Sequence, residues 1–254
     1  MFKAVVMTLA LLAAEATPAA GCPADQPCRI TLSNGEWPPF FSEHLKGGGI
    51  FSRLVVEAYQ QQGITVVYGY RPWVRAYSEA QAGEFDGTVG LAPNPERLNS
   101  FLFSDPVVYV EMVFFHRRGR HFSWNTLADL SPYLIGTTRG NFYSDEFDRL
   151  HKAGKLRVDE SANEEVFNFR KLLNGRVDLF PIDRHVGEYL LKTRFTPQER
   201  EQLTYDHKVF WKAPLHLLIS RRAKNGPQLI SVFNQGLQKM KSSGEYQRIV
   251  DDKP

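Results

Sequence analysis

The sequence predicts an α/β protein built as two consecutive lobes, and three observations lead there. Beyond an apolar leader, about 230 of the 254 residues remain, more than the roughly 100 to 200 that a single domain usually takes. Short β-branched and apolar runs alternate with segments whose apolar residues recur at helical spacing, the order of βαβ units, and that series occurs twice. No internal repeat or low-complexity linker separates the two series, so extended segments must join them.

The elements follow in order. Met1-Phe2-Lys3 gives a short basic start, and residues 4–14 are apolar except for Thr8. That run is too short to span a bilayer, which takes about 20 residues, and small residues follow it, so it reads as a secretory signal over residues 1–21. The sequence Arg29-Ile30-Thr31-Leu32-Ser33 alternates as a strand does, and Asn34-Gly35-Glu36-Trp37-Pro38-Pro39-Phe40 has the prolines of a shaped loop. Phe51, Leu54, Val55, Ala58 and Tyr59 then mark one face of a helix that Gly63 stops. The preceding Gly47-Gly48-Gly49 lacks the Gly-Lys-Ser/Thr ending of a phosphate loop and reads as a turn. A strand over 64–68, a helix over 73–82 and a strand over 85–91 continue the first series.

The second series has a helix over 124–130, a strand over 133–136, a helix over 144–153 and a strand over 156–158. A helix over 164–174 and a strand over 176–182 complete it. A last strand over 215–219 precedes a helix with Leu229, Phe233, Leu237 and Met240 on one face. Crossings between lobes are expected near 108–115 and 209–215. This divides the mature chain into a first lobe of 22–111 and 211–254 and a second of 112–210.

Composition narrows function. A net charge of +3, from 31 basic and 28 acidic residues, is small for this length, and the one locally basic stretch, His116-Arg117-Arg118-Gly119-Arg120-His121, reads as a solvated turn. A nucleic-acid partner is not expected. The seven His are scattered and no metal-ligand spacing occurs, so neither metal nor cofactor is expected. The only two cysteines, Cys22 and Cys28, lie just after the cleavage zone, and in an oxidising compartment they are expected to form a small disulfide loop. The alternative is lipid attachment at Cys22, although Ala19 stands where such sites usually carry a larger aliphatic residue.

The order of motifs resembles the bacterial periplasmic solute-binding proteins of family 3, the polar amino-acid binders of ABC uptake systems. Its carriers are Gly35-Glu36-Trp37-Pro38-Pro39-Phe40, Gly83-Glu84-Phe85-Asp86-Gly87 with Asn94-Pro95-Glu96-Arg97, and Phe103-Ser104-Asp105-Pro106. Ile135-Gly136-Thr137-Thr138-Arg139-Gly140, Asn174-Gly175-Arg176-Val177-Asp178 with Asp183, and Ser243-Gly244-Glu245-Tyr246 follow. The resemblance implies a type II periplasmic-binding fold: each lobe a mixed sheet flanked by helices, joined by a two-segment hinge, in a periplasmic monomer. It implies Arg97 as the partner of the ligand carboxylate, Thr137 and Thr138 as further carboxylate donors, and Asp183 as the partner of the ammonium. A guanidinium presents parallel N–H donors that match a carboxylate. Without the motif, Arg97 reads as a surface partner of Glu96 and Asp183 as a cap.

The resemblance also implies that Trp37 stacks on the ligand and that Trp73 lines the pocket, although core packing serves Trp73 nearly as well. Gly90, Leu91 and Ala92 depart from the pattern, standing where hydroxyl donors are common, so backbone groups of Gly90 and Ala92 are expected to bind there. Arg139 adds a positive charge that tilts the ligand toward an acidic or multiply carboxylated molecule, and Arg75 and Tyr143 are secondary candidates. No nucleophile motif or His-Glu-x-x-His occurs, and the chain is expected to catalyse nothing. The enzymatic rival is a cyclohexadienyl dehydratase of the same fold, with Glu36 or Glu160 as its acid-base. The partner is expected to be an inner-membrane ABC permease or a membrane sensor.

Overall fold

A computed structural model describes residues 28–120 and 122–252. The expected signal and Cys22 lie outside the described residues, and with them the expected Cys22 to Cys28 bond; Cys28 itself is half-buried against the core.

The first half of the molecule begins with β1 (Arg29–Asn34), α1 (Ile50–Gln60), β2 (Thr65–Tyr70), α2 (Trp73–Ala82) and β3 (Gly87–Leu91). β1 lies between β2 and β3 and is parallel to both. The five apolar positions that predicted α1 are all buried. α2 covers the predicted residues, entered from Pro72 and stopped by Gly83 in a left-handed conformation that glycine adopts at no steric cost. α3 (Pro95–Ser100) and β4 (Phe101–Phe103) follow, and β5 (Val108–Arg117) then leaves this half.

The second half contains β6 (Leu134–Thr138), α4 (Asp145–Lys152), β7 (Arg157–Ala162), α5 (Glu165–Leu173), β8 (Leu179–Asp183), α6 (Arg184–Arg194), α7 (Pro197–Glu201) and β9 (Leu203–Tyr205). The chain returns along β10 (Trp211–Ser220) and ends in α8 (Gly226–Ser243) and α9 (Glu245–Asp251). α8 closes the first lobe by packing on α1: Tyr59 and Phe233 meet at 5.3 Å between ring centroids. A Cβ on Gly236 would fall 2.0 Å from the Ala58 carbonyl oxygen, so only glycine permits that approach.

The strands run in the order β2-β1-β3-β10-β5-β8-β6-β7, with β4 on β10 and β9 on β5. Both halves are mixed: parallel around β1 and around β6, antiparallel at β5 and β10. Residues 211–215 of β10 pair with 108–112 of β5, the rest of β10 pairs with β3 and β4, and the rest of β5 with β8 and β9. Two long strands thus form the joint between two α/β lobes.

Besides the short elements α3, β4, α7 and β9, which were not expected, two departures are instructive. Residues 124–130 form no α-helix; only Leu127–Leu130 turns, as a 3₁₀ helix inside a Thr126/Asp129 capping box. Trp124, Leu127 and Leu130 recur every three residues, a spacing that a 3₁₀ turn satisfies as well as an α-helix does. Conversely, α6 had no apolar stripe to announce it, because its fully buried residues are only Val186 and Gly187.

Candidate functional site

The carboxyl ends of the parallel strands carry the candidate residues, the usual place for ligands in α/β sheets. In the first lobe β1 ends at Asn34, which accepts the Gly35 N–H at 2.9 Å and donates to the Ser52 hydroxyl at 3.0 Å. The loop beyond turns back on itself, the Trp37 N–H donating to the Phe41 carbonyl at 2.8 Å. Phe41 is wholly buried, against Phe51 at 4.8 Å and edge-on to Trp73 at 5.4 Å between centroids. Trp37 rests on Phe40 at 5.4 Å, and Trp73 donates its indole N–H to the Glu36 carbonyl at 3.1 Å. Both tryptophans are partly exposed, so each has one face on the core and one on the loop surface. For Trp73 the packing and rim roles therefore coexist.

Gly90, near the end of β3, has φ +78, and a Cβ there would meet the Phe41 ring at 2.4 Å. Only glycine fits, because it both adopts that φ and leaves room for the ring. Four residues further on, the Asn94 side chain caps α3 by accepting the Arg97 N–H at 2.8 Å, and the Arg97 guanidinium donates to the Ala92 carbonyl at 2.7 Å. The guanidinium is thereby braced against the segment expected to supply backbone donors. Arg97 is half-buried, and among the described residues it pairs with no carboxylate, Glu96 included.

In the second lobe Thr137 and Thr138, at the end of β6, are 2% and 5% exposed. The Thr138 N–H donates to the Tyr143 hydroxyl at 2.7 Å, and the Thr138 hydroxyl oxygen accepts from the Asn168 side-chain amide at 3.1 Å. The Thr137 hydroxyl is buried without a hydrogen-bond partner among the described residues. Burial pushes the Tyr143 hydroxyl up to about 12, which keeps it neutral. Arg139 is exposed; its backbone N–H donates to Ala162, and its side chain makes no ion pair among the described residues.

Asp183 is 0% exposed. It ends β8 and caps α6: one oxygen accepts the N–H groups of His185 at 2.9 Å and Val186 at 3.1 Å, the other that of Glu111 at 2.8 Å. Burial pushes its carboxyl up to about 6, against the pull of those three donors. Arg97 and Asp183 share no hydrogen bond or ion pair.

Several contacts near these strand ends were not read from the sequence. Phe40 of the first lobe and His185 of the second meet edge-on, at 6.1 Å between centroids. Glu111 on β5 accepts from Lys212 on β10 at 2.8 Å and pairs with Arg184 at 3.0 Å, and the Lys212 hydrogen bond holds its carboxyl below the usual range. His185 was legible only to a reading that had already placed α6. Of the secondary candidates, Arg75 pairs with Glu79, which Arg71 also approaches at 3.3 Å. For the enzymatic rival, Glu36 is exposed and accepts the Glu43 N–H at 2.7 Å, and Glu160 lies exposed, 3.8 Å from His151.

The model of the bacterial extracellular solute-binding proteins, family 3, matches residues 30–252, and the chain belongs to that family. No curated protein matches the sequence significantly. Among solved structures, the chain is similar to the second substrate-binding domain of a putative amino acid ABC transporter from Streptococcus pneumoniae. The identity is 20%, covering 88% of this chain and 98% of that one, with a TM-score of 0.67. It is similar to a histidine kinase sensor domain at 18% identity, 88% and 94% coverage and a TM-score of 0.68. An ancestral amino acid-binding protein, described as a precursor of cyclohexadienyl dehydratase, shares 20% identity over 88% and 93%, with a TM-score of 0.64. At these identities the likeness is one of fold, the type II periplasmic-binding architecture. No helix among the described residues is long and apolar enough to cross a membrane.

Proposed function

We propose that this chain captures a small carboxylate-bearing solute, an amino acid or a close relative, between its two lobes and hands it to a membrane partner without a chemical step. The single observation that supports this best is Arg97, a half-buried guanidinium braced by the Ala92 carbonyl, with no acidic partner among the described residues. Its remaining donors stay available two residues beyond Gly90, at the end of β3 where family membership expects a carboxylate.

In this reading 22–111 with 211–254 form one lobe and 112–210 the other, and Trp37 and Trp73 border the ligand. The Thr137 hydroxyl, buried and unpartnered, is the second-lobe donor. Family membership favours export to the periplasm and an ABC permease as partner, and the likeness to a kinase sensor domain keeps a sensor as the other class of partner.

A thermal-shift screen of amino acids and small organic acids tests the reading. Anything bound by the folded state alone adds RT ln(1 + [L]/Kd), about 2.7 kcal/mol at a hundredfold excess over Kd. At least one carboxylate should raise the melting temperature, and Arg97→Ala should abolish that rise while leaving the ligand-free melting temperature within about 2 °C. A flat screen together with turnover of prephenate or arogenate would replace capture by catalysis.

A further inference from the structure

We propose that the first lobe carries a second binding site, for a phosphate group, in a pocket at the end of the lobe away from the candidate ligand residues. The inference goes beyond the capture reading and does not depend on it.

The pocket measures about 430 Å³ and is lined by Ser78, Gln81, Asn99, Ser100, Arg221 and Arg222, a size within the roughly 300–1,000 Å³ of small-molecule sites. It lies among the last turns of α2, the end of α3 and the turn after β10. The Arg221 N–H donates to the Ser100 carbonyl at 3.0 Å, and Ile219 pairs with Gly87 at the start of β3. Gly90, Ala92 and Arg97 lie at or beyond the other end of that strand, whose five residues span about 13 Å at roughly 3.3 Å per step. The two places are therefore separate.

Arg221 and Arg222 are not singled out by lacking an ion pair, which other arginines of the chain share. They are singled out by lining one pocket together, with no acidic residue in its walls. Each guanidinium is tethered by one bond to a backbone carbonyl, Arg221 Nε to Leu98 at 3.2 Å and Arg222 Nη1 to Ala82 at 3.4 Å. Those bonds fix the heads at the ends of α2 and α3 and use one of the five donors of each. The Ser100 hydroxyl accepts from the Gln81 amide at 2.9 Å, which leaves its own proton to donate. A second-lobe pocket beside Arg170, Lys171 and Arg176 differs, because Asp159 already neutralises Lys171 at 3.0 Å.

Two guanidiniums match a phosphomonoester, which carries about −1.5 to −2 charges near neutral pH and three acceptor oxygens. One carboxylate would leave a cation uncompensated. A bare phosphate ion fills only part of the volume, so the remaining space suits the organic portion of a phosphomonoester, free or as a lipid headgroup.

Calorimetric titration of the intact protein with glycerol 3-phosphate, inorganic phosphate and acetate tests the proposal. Co-sedimentation with phosphatidylcholine vesicles, with and without phosphatidic acid, distinguishes a lipid source from a soluble one. Glycerol 3-phosphate should bind one to one and about tenfold or more tighter than acetate, and Arg221→Gln with Arg222→Gln should weaken it by about tenfold or more. Ser78→Trp, which fills the pocket and keeps both arginines, should weaken it as much. Lys239→Gln with Arg248→Gln, which removes two exposed cations elsewhere, should leave it within about threefold. Sedimentation that requires both phosphatidic acid and the two arginines, without binding of soluble phosphates, would assign the same pocket to a lipid phosphate. Absence of binding to every phosphate, equal binding of acetate, or binding that survives both pocket variants would overturn the proposal. So would a loss in the control pair as large as in the arginine pair.

Discussion

Asp183→Ala should be among the most destabilising single substitutions in this chain, although it removes only three heavy atoms. The carboxylate gathers three backbone N–H groups at 2.8 to 3.1 Å in a site with no solvent exposure. Two of them begin α6, where losing a cap costs about 0.5–2 kcal/mol. The third, on Glu111, belongs to β5, and a buried donor left unpaired costs about 1–3 kcal/mol. Together these give roughly 2–5 kcal/mol. For a chain this long, where each kcal/mol is worth about 2–4 °C, the melting temperature should fall by on the order of 10 °C. Asp183→Asn is the informative control, because its amide oxygen can still cap α6 while its NH₂ faces the Glu111 N–H. It should fall between parent and alanine. Urea unfolding followed by tryptophan fluorescence measures both variants. An alanine variant within about 0.5 kcal/mol of the parent would refute the strut assignment.

Two further outcomes follow from the same geometry. Because burial lifts the Asp183 carboxyl to about 6 from an ordinary value of 3.8, the folded state binds that proton more tightly than the unfolded chain does. The stabilisation linked to that bound proton is therefore complete below about pH 4 and is lost as the pH rises through about 6. Parent minus Asp183→Asn stability should decline across that window, and a difference that rises there would reverse the assignment. Gly90→Ala should cost about 2 kcal/mol or more, since its Cβ would meet the Phe41 ring at 2.4 Å at a φ of +78; a melting temperature within 2 °C of the parent would show that the Trp37 loop gives way.

How much of this was legible depended on whether the information was local. α2 and the apolar face of α1 could be read residue by residue, because helical spacing and the Pro72 and Gly83 boundaries sit within a dozen positions of one another. The 124–130 segment misled because spacing of three does not separate a 3₁₀ turn from an α-helix. In the site, Arg97 could be found from the Asn94-Pro95-Glu96-Arg97 sequence, whose cap lies three residues away. The commitment of Asp183 could not. Its Glu111 donor is 72 residues distant and is a backbone group, which carries no side-chain signature in any sequence. The Phe40–His185 contact across the cleft is hidden for the same reason: it exists only once both lobes are placed.

The joint between the lobes is unevenly built. Glu111 is fastened to the second lobe twice, by its N–H on Asp183 and by its carboxylate on Arg184, and to the returning strand by Lys212, directly opposite in the ladder. Charge-assisted hydrogen bonds of this kind are stronger than neutral ones. Two residues further along β10, Pro214 stands opposite Tyr109, whose backbone groups face away from β10 because those of Met112 face toward it, so the proline costs this ladder no hydrogen bond. What distinguishes the two ends of the joint is therefore the side-chain anchoring at Glu111 and not a missing backbone bond. Arg97, Gly90 and the Trp37 loop lie on the first-lobe side of Glu111, while Asp183, Thr137 and Arg139 lie beyond it. The candidate residues therefore divide between two α/β halves joined through β5 and β10, and the division falls within those strands and not at a loop.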